Sequence, residues 1–109
     1  MISILVVTGR GDELSRLVGL DPSVEVLLAQ GAEEAVEKLA RNRRIDAVLL
    51  LAGEETAGIV SAIREDNPAP PPLFSGATEY SLPDGVRPLA EREPVRLIAL
   101  VAASLEPKP

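Results

Sequence analysis

Residues 45–51 have the sequence Ile45-Asp46-Ala47-Val48-Leu49-Leu50-Leu51, and this stretch decides the fold. Its last five residues are all apolar, without the alternation typical of a strand that has one face in water. Such a continuous run is typical of a strand buried on both faces, as in a parallel sheet covered by helices. We therefore predict that residues 45–51 form the central strand of a sheet.

Strands and helices alternate outward from this stretch. Upstream, the apolar pattern predicts strands at residues 2–7 and 24–29, a brief helix that begins after Asp12, and a clear helix at residues 32–43. Downstream, a helix is predicted at residues 54–65, with the following side chains facing inward: Thr56, Ile59, Val60 and Ile63. Alternating strands and helices favour parallel strands joined by right-handed crossovers.

The composition changes after Asn67, since all but one of the 10 prolines lie beyond it. Two very short strands are predicted at residues 73–74 and 86–87, with room for little more than one helical turn between them. A last helix is predicted from Pro94 to about residue 105. We predict one domain over residues 1–105, with residues 106–109 as the start of a linker or tail.

The residue types that are missing exclude several functions. The 109 residues include no Cys and no His, so a disulfide, a thiolate or imidazole metal site and a Ser-His-Asp triad are all impossible. The net charge of −6 and the two aromatic side chains, Phe74 and Tyr80, argue against binding to nucleic acid. No apolar run approaches the roughly 20 residues of a membrane span, and no signal peptide is recognised. A cytoplasmic protein is expected.

Four stretches resemble the receiver domain of two-component response regulators. They are Ile4-Leu5-Val6-Val7-Thr8-Gly9, Ile45-Asp46-Ala47-Val48-Leu49-Leu50-Leu51, Leu73-Phe74-Ser75 and Arg87-Pro88-Leu89. In that family they correspond to a strand ending in an acidic pair, a strand ending in the phosphoacceptor aspartate, a strand ending in Thr or Ser, and a Lys-Pro dipeptide. The resemblance implies a flavodoxin-like, doubly wound α/β fold with five parallel strands in the order 2-1-3-4-5. The fourth helix would be shortened or missing.

The residues at the family's reactive positions differ from the receiver pattern. Thr8 and Gly9 stand where the acidic pair would hold Mg²⁺, and Leu51 stands at the phosphoacceptor position. Arg87 stands at the position of the receiver lysine, which keeps the charge but changes its geometry. Ser75 is the one tolerable match, because receivers have a Thr or Ser hydroxyl at that position. The resemblance therefore implies a pseudo-receiver with a degenerate pocket and with no catalytic residue, metal ion or cofactor.

The last helix supplies the predicted interaction surface. At about 100° per residue, Val95 and Ile98 fall on the side that we assign to the sheet, with Val101, Ala102 and Leu105. The opposite side is also largely apolar, which favours contact with a partner or a second copy. With the adjoining strand, the predicted interface consists of Val86, Leu89, Arg96, Leu97, Leu100 and Ala103.

We therefore expect a phosphorylation-independent module for protein–protein interaction or dimerisation in bacterial signalling or transcription regulation. It would not be an enzyme, and fusion to a C-terminal output domain would fit the linker-like residues 106–109. The alternative is a small-ligand or nucleotide-binding domain that uses the carboxyl edge of the sheet. Three further features favour structural roles: a Gly-rich turn at residues 8–12, an acidic pair at residues 54–55, and a proline-rich connection at residues 68–72.

Overall fold

The sheet has five parallel strands in the order β2-β1-β3-β4-β5, which is a flavodoxin-like α/β arrangement. The computed structural model describes residues 2–9, 23–42, 44–51, 55–76, 82–91 and 93–105. The strands are β1 (Ile2–Thr8), β2 (Val24–Ala29), β3 (Ala47–Leu51), β4 (Leu73–Gly76) and β5 (Val86–Leu89). The predicted fold class and strand order are confirmed, and β3 is central.

Three helices lie in the described residues: α1 (Ala32–Arg41), α2 (Thr56–Asp66) and α3 (Pro94–Leu105). The helix predicted after Asp12 lies outside the described residues, and so does the tail at residues 106–109. Between β4 and β5, the described residues 82–85 contain no helix, while residues 77–81 lie outside the description.

Successive side chains of each strand point to opposite faces of the sheet, so the core consists of two apolar clusters, one on each face. On one face, Val6, Leu49 and Phe74 pack with residues of α3. On the other face, Val7 and Leu50 pack with residues of α1 and α2. The side chains of Val48, Leu49 and Leu50 are completely buried, because β3 is covered on both faces. This explains why the stretch that begins at Ala47 shows no polar alternation.

The face that α3 turns toward the sheet differs from the predicted one at two residues. Val95, which we predicted to face the sheet, is 47% exposed, whereas Leu97 is 1% exposed. The buried residues Leu97, Ile98, Val101 and Ala102 form a stripe whose centre is roughly 90° from Val95 around the helix axis. Because Leu97 lies within this stripe, α3 is rotated relative to the prediction.

Two further sets of hydrogen bonds connect parts of the fold that are distant in the sequence. Asp46, directly before β3, accepts a hydrogen bond from the backbone N of Ser3 at its Oδ2 atom and donates one from its own backbone N to the Ser3 carbonyl, both 2.8 Å long. On the other side of the sheet, Arg64 of α2 donates to the carbonyl of Asp84 in the turn before β5. Gly85 in that turn has φ +87°, a conformation that favours glycine.

Candidate functional site

The carboxyl edge of the sheet is where an α/β domain of this kind would bind a ligand. Thr8 and Leu51 are partners in the register of β1 and β3, and Gly76 and Leu89 are partners in that of β4 and β5. Leu50 faces Ser75 in the register, so Leu51 lies beside Gly76. Four consecutive strands therefore place Thr8, Leu51, Gly76 and Leu89 in one row across the sheet.

Apolar side chains fill the middle of this row. A β-carbon built on Gly76 would lie 2.6 and 2.9 Å from the two δ-methyl groups of Leu97, and 3.2 Å from Cδ2 of Leu51. Real β-carbons do not approach other atoms as closely as 2.6 Å, so a larger residue at position 76 would require the Leu97 side chain or α3 to shift. Methyl groups of Leu97 and Leu51 thus occupy the space above Gly76, and Leu51 is itself the residue at which the resemblance places a phosphoacceptor.

The two hydroxyl side chains at this edge are on opposite faces of the sheet. Thr8 and Ser75 are both buried, with 2% and 3% exposure. Ser75 shares the face of Leu73, which packs with α1 and α2, whereas Leu51 packs against the cluster around α3. Ser75 and Leu51 are therefore neighbours in the sheet but do not point into one pocket. Gly9 follows Thr8 and is exposed.

Arg87 lies on β5, two residues before Leu89 of this row. It is the register partner of Phe74, one residue before the position opposite Ser75. Its guanidinium carbon lies 5.9 Å from the centre of the Phe74 ring, and the residue is exposed. A cation–π contact at an exposed site contributes about 0.5–1 kcal/mol. Arg87 therefore covers an aromatic side chain of the core.

The predicted interface residues are only partly on the surface. Leu100 is 43% exposed, Ala103 and Arg96 are exposed, and Leu89 is half-buried. The prediction is wrong for two of these residues, because Val86 is only 7% exposed and Leu97 only 1% exposed. Val86 packs with the cluster under α2, and Leu97 packs over Gly76, so neither belongs to an outer surface.

The outer side of α3 nevertheless carries an apolar surface. We define the α3 patch as the exposed residues Val95, Ala99, Leu100 and Ala103. Val95 and Leu100 are the exposed large hydrophobic side chains in the described part of the chain. Arg96 lies beside the patch and forms ion pairs with the exposed Glu93 at 3.4 Å and the half-buried Glu91 at 4.0 Å. Ion pairs of such solvent-accessible side chains contribute little to stability.

The sequence analysis did not predict a groove at the opposite, amino edge of the sheet. This groove has a volume of about 660 Å³, and its lining residues are Leu39, Ala40, Asn42, Ile45, Asp46, Asp66, Asn67, Ala69, Pro70 and Pro71. Ligands of α/β sheets are expected at the carboxyl edge, so the sequence alone gave no reason to expect a groove beside the carboxyl ends of α1 and α2. The available signal was that an Asn directly follows each helix, Asn42 after α1 and Asn67 after α2.

No helix in the described ranges is long and apolar enough to cross a membrane. Within the same ranges, no three Asp or Glu side chains are grouped as metal ligands would be. No family model, curated protein sequence or solved structure matches the chain.

Proposed function

We propose that the chain is a pseudo-receiver: a cytoplasmic interaction module of the response-regulator type that acts without phosphorylation in bacterial signalling or transcription regulation. The observation that carries this proposal is that methyl groups of both Leu51 and Leu97 lie around Gly76. Phosphoryl transfer to a carboxylate needs an acceptor oxygen and a cation next to it. Methyl groups occupy this part of the carboxyl edge instead.

The same arrangement of methyl groups argues against the alternative of a small ligand or nucleotide at the carboxyl edge. A nucleotide-binding edge offers backbone N–H groups to phosphate oxygens at a helix N-terminus. Among the described residues, the centre of this edge is apolar, and the side chains of Leu51 and Leu97 have no group that donates a hydrogen bond to a phosphate. The domain is more suited to binding through an outer surface than through this edge.

The α3 patch is the surface that we assign to the partner or to a second copy. Apolar side chains on the outer side of a helix increase the free energy of the isolated domain, and a partner that covers them lowers it. Val95 and Leu100 supply the large side chains, while Ala99 and Ala103 allow close approach of a second surface. The net charge of −6 makes nucleic acid an unsuitable partner for this surface.

Replacing Leu100 by arginine tests this assignment. We expect Leu100→Arg to weaken self-association or partner capture by about tenfold or more, because it places a charge in the centre of an apolar contact. The melting temperature should stay within about 2 °C of the wild type, because Leu100 lies outside the core cluster. Sedimentation velocity measures self-association, and binding to a candidate partner is measured by calorimetry.

Ala57→Arg is the matched control, since Ala57 is exposed on α2, which covers the other face of the sheet. It introduces the same side chain and should leave association unchanged. Normal association of Leu100→Arg would place the interface elsewhere, and an unfolded variant would show that Leu100 belongs to the core.

A further inference from the structure

The exposed residues of α3 form a surface that is complementary to itself. Arg96, Ala99, Leu100 and Ala103 are exposed and lie at the spacing i, i+3, i+4 and i+7. Four residues at this spacing surround a hole into which one large side chain of a facing helix packs. Because Ala99 and Ala103 are small and Leu100 is large, a single α3 carries both the hole and a side chain that fills it.

The charge of α3 determines the direction of the helix that fits this surface. Arg96 is the one charged residue of α3 and lies in its first turn, where the helix dipole disfavours a positive charge. The last turn of α3 contains no basic residue to pair with the partial negative charge at its carboxyl end. Two copies of α3 that pack antiparallel place each Arg96 beside the carboxyl end of the other helix, whereas a parallel pair would bring the two arginines together.

The hole also fixes where the two helices meet. Its centre lies between Ala99 and Leu100, so Leu100 of each copy fills the hole of the other when a two-fold axis passes between these residues. Arg96, about one helical turn before this axis, then faces the residues one turn after it, Ala103 and Ser104. Ser104 donates its hydroxyl to the Leu100 carbonyl at 2.9 Å, so its oxygen retains the capacity to accept a hydrogen bond from a guanidinium group.

The size of the surface indicates a weak dimer. α3 has 12 residues and is therefore about 18 Å long. Its exposed large apolar side chains are Val95 and Leu100. A contact along one helix of this length covers less than the roughly 800 Å² per partner of a standard interface. We therefore expect a dissociation constant of about 10⁻⁴ M, and a dimer whose population depends on concentration.

We infer that the α3 patch binds a second copy of this chain, as an antiparallel pair of α3 helices around a two-fold axis between Ala99 and Leu100. The inference rests on the proposed function of the α3 patch and commits that surface to one occupant. In a two-fold contact each residue meets the same surface that carries it, so the small residues must face the large ones. The alternation of Ala99, Leu100 and Ala103 satisfies this requirement.

Disulfide cross-linking tests this arrangement, because the chain contains no Cys that would compete. Ala99→Cys places a thiol next to the two-fold axis, within the roughly 7 Å between Cα atoms that a disulfide can bridge. Two Ala103→Cys residues would lie about 10 Å apart along the helices, which is beyond that reach. After oxidation at 200 µM protein, a concentration of about the expected dissociation constant, intact mass should show about tenfold more covalent dimer for Ala99→Cys than for Ala103→Cys.

Ala57→Cys is the matched control, since Ala57 is exposed on α2, away from the α3 patch. It should form no more covalent dimer than Ala103→Cys, and adding Leu100→Arg to Ala99→Cys should reduce the dimer to the same level. Sedimentation velocity up to 1 mM measures the reversible equilibrium. Arg96→Gln should weaken association by about threefold, the scale of a charge at a helix end, with the melting temperature within about 2 °C of the wild type.

Equal cross-linking of Ala99→Cys and Ala103→Cys would overturn the inference, because a parallel pair or random collisions would then explain the dimer. Cross-linking of Ala99→Cys no greater than that of Ala57→Cys, or a wild type that is monomeric at 1 mM, would overturn it as well. Neither result would affect the proposed function without phosphorylation, which fails instead if beryllofluoride and Mg²⁺ together act on the chain.

Discussion

Replacement of Gly76 by valine is expected to lower the free energy of unfolding by about 2–3 kcal/mol, the upper range for overpacking a core. The first added carbon already lies 2.6 Å from a methyl group of Leu97, and the branched side chain adds two more. Either α3 moves away from the sheet or Leu97 leaves its rotamer. Urea denaturation followed by far-UV circular dichroism measures the change.

Two controls separate this collision from a general effect of replacing glycine. Gly58→Ala, on the exposed side of α2 with no atom near the new carbon, should stabilise the protein by about 0.5–1 kcal/mol. Gly76→Ala combined with Leu97→Ala should be less destabilising than the sum of the two single changes, because the smaller side chain removes the collision. A Gly76→Val variant as stable as the wild type would contradict the packing of α3 described above.

The variant Leu51→Asp is expected to lower the free energy of unfolding by about 1–3 kcal/mol and to remain unphosphorylated by acetyl phosphate. Leu51 is half-buried against the methyl groups of the α3 face, so the introduced carboxylate loses part of its hydration without gaining a partner there. By the proposed resemblance to receivers, Thr8 and Gly9 stand at the positions of the Mg²⁺ ligands, so we expect no metal site beside the new carboxylate. Denaturation and intact-mass measurement give the two results.

The pH dependence of the stability of Leu51→Asp shows whether the loss of stability comes from the buried charge or from the lost packing of leucine. Partial burial raises the pKa of the introduced carboxyl group in the folded state. The folded state then binds more protons than the unfolded state, so the stability deficit is largest at neutral pH. It should shrink as the pH falls through the raised folded-state pKa toward the ordinary aspartate value of about 3.9. Leu51→Asn should show no such dependence, and a phosphorylated Leu51→Asp would show that the edge retains receiver chemistry.

The strands of this fold could be predicted from the sequence because burial determines their residue types. The apolar stretch that ends at Leu51 is the central strand, and each predicted strand lies within two residues of an observed one. The four inward residues predicted for α2 are its buried residues. These predictions depend only on the spacing of apolar residues within each segment, and that spacing matches the side chains that are buried in the fold.

The orientation of α3 could not be predicted in the same way. A helix that is apolar on nearly all sides has no single amphipathic face, so periodicity alone could not choose between Val95 and Leu97. The choice depends on Gly76, which lies 21 positions before Leu97 in the sequence and leaves the space that Leu97 fills. The amino-edge groove has the same origin, since it forms only when the ends of α1 and α2 and the residues around Asp46 come together.

Addition of beryllofluoride and Mg²⁺ to the wild-type chain, followed by amide NMR, tests phosphorylation independence most directly. This complex imitates a phosphoryl group on a receiver aspartate and requires both the acceptor and the metal site. We predict no shift at the carboxyl ends of β1, β3 and β4, and no change of the signals from α3, when compared with Mg²⁺ alone. Saturable shifts around Thr8, Leu51 and Ser75 that require both components would contradict the proposal that this domain acts without phosphorylation.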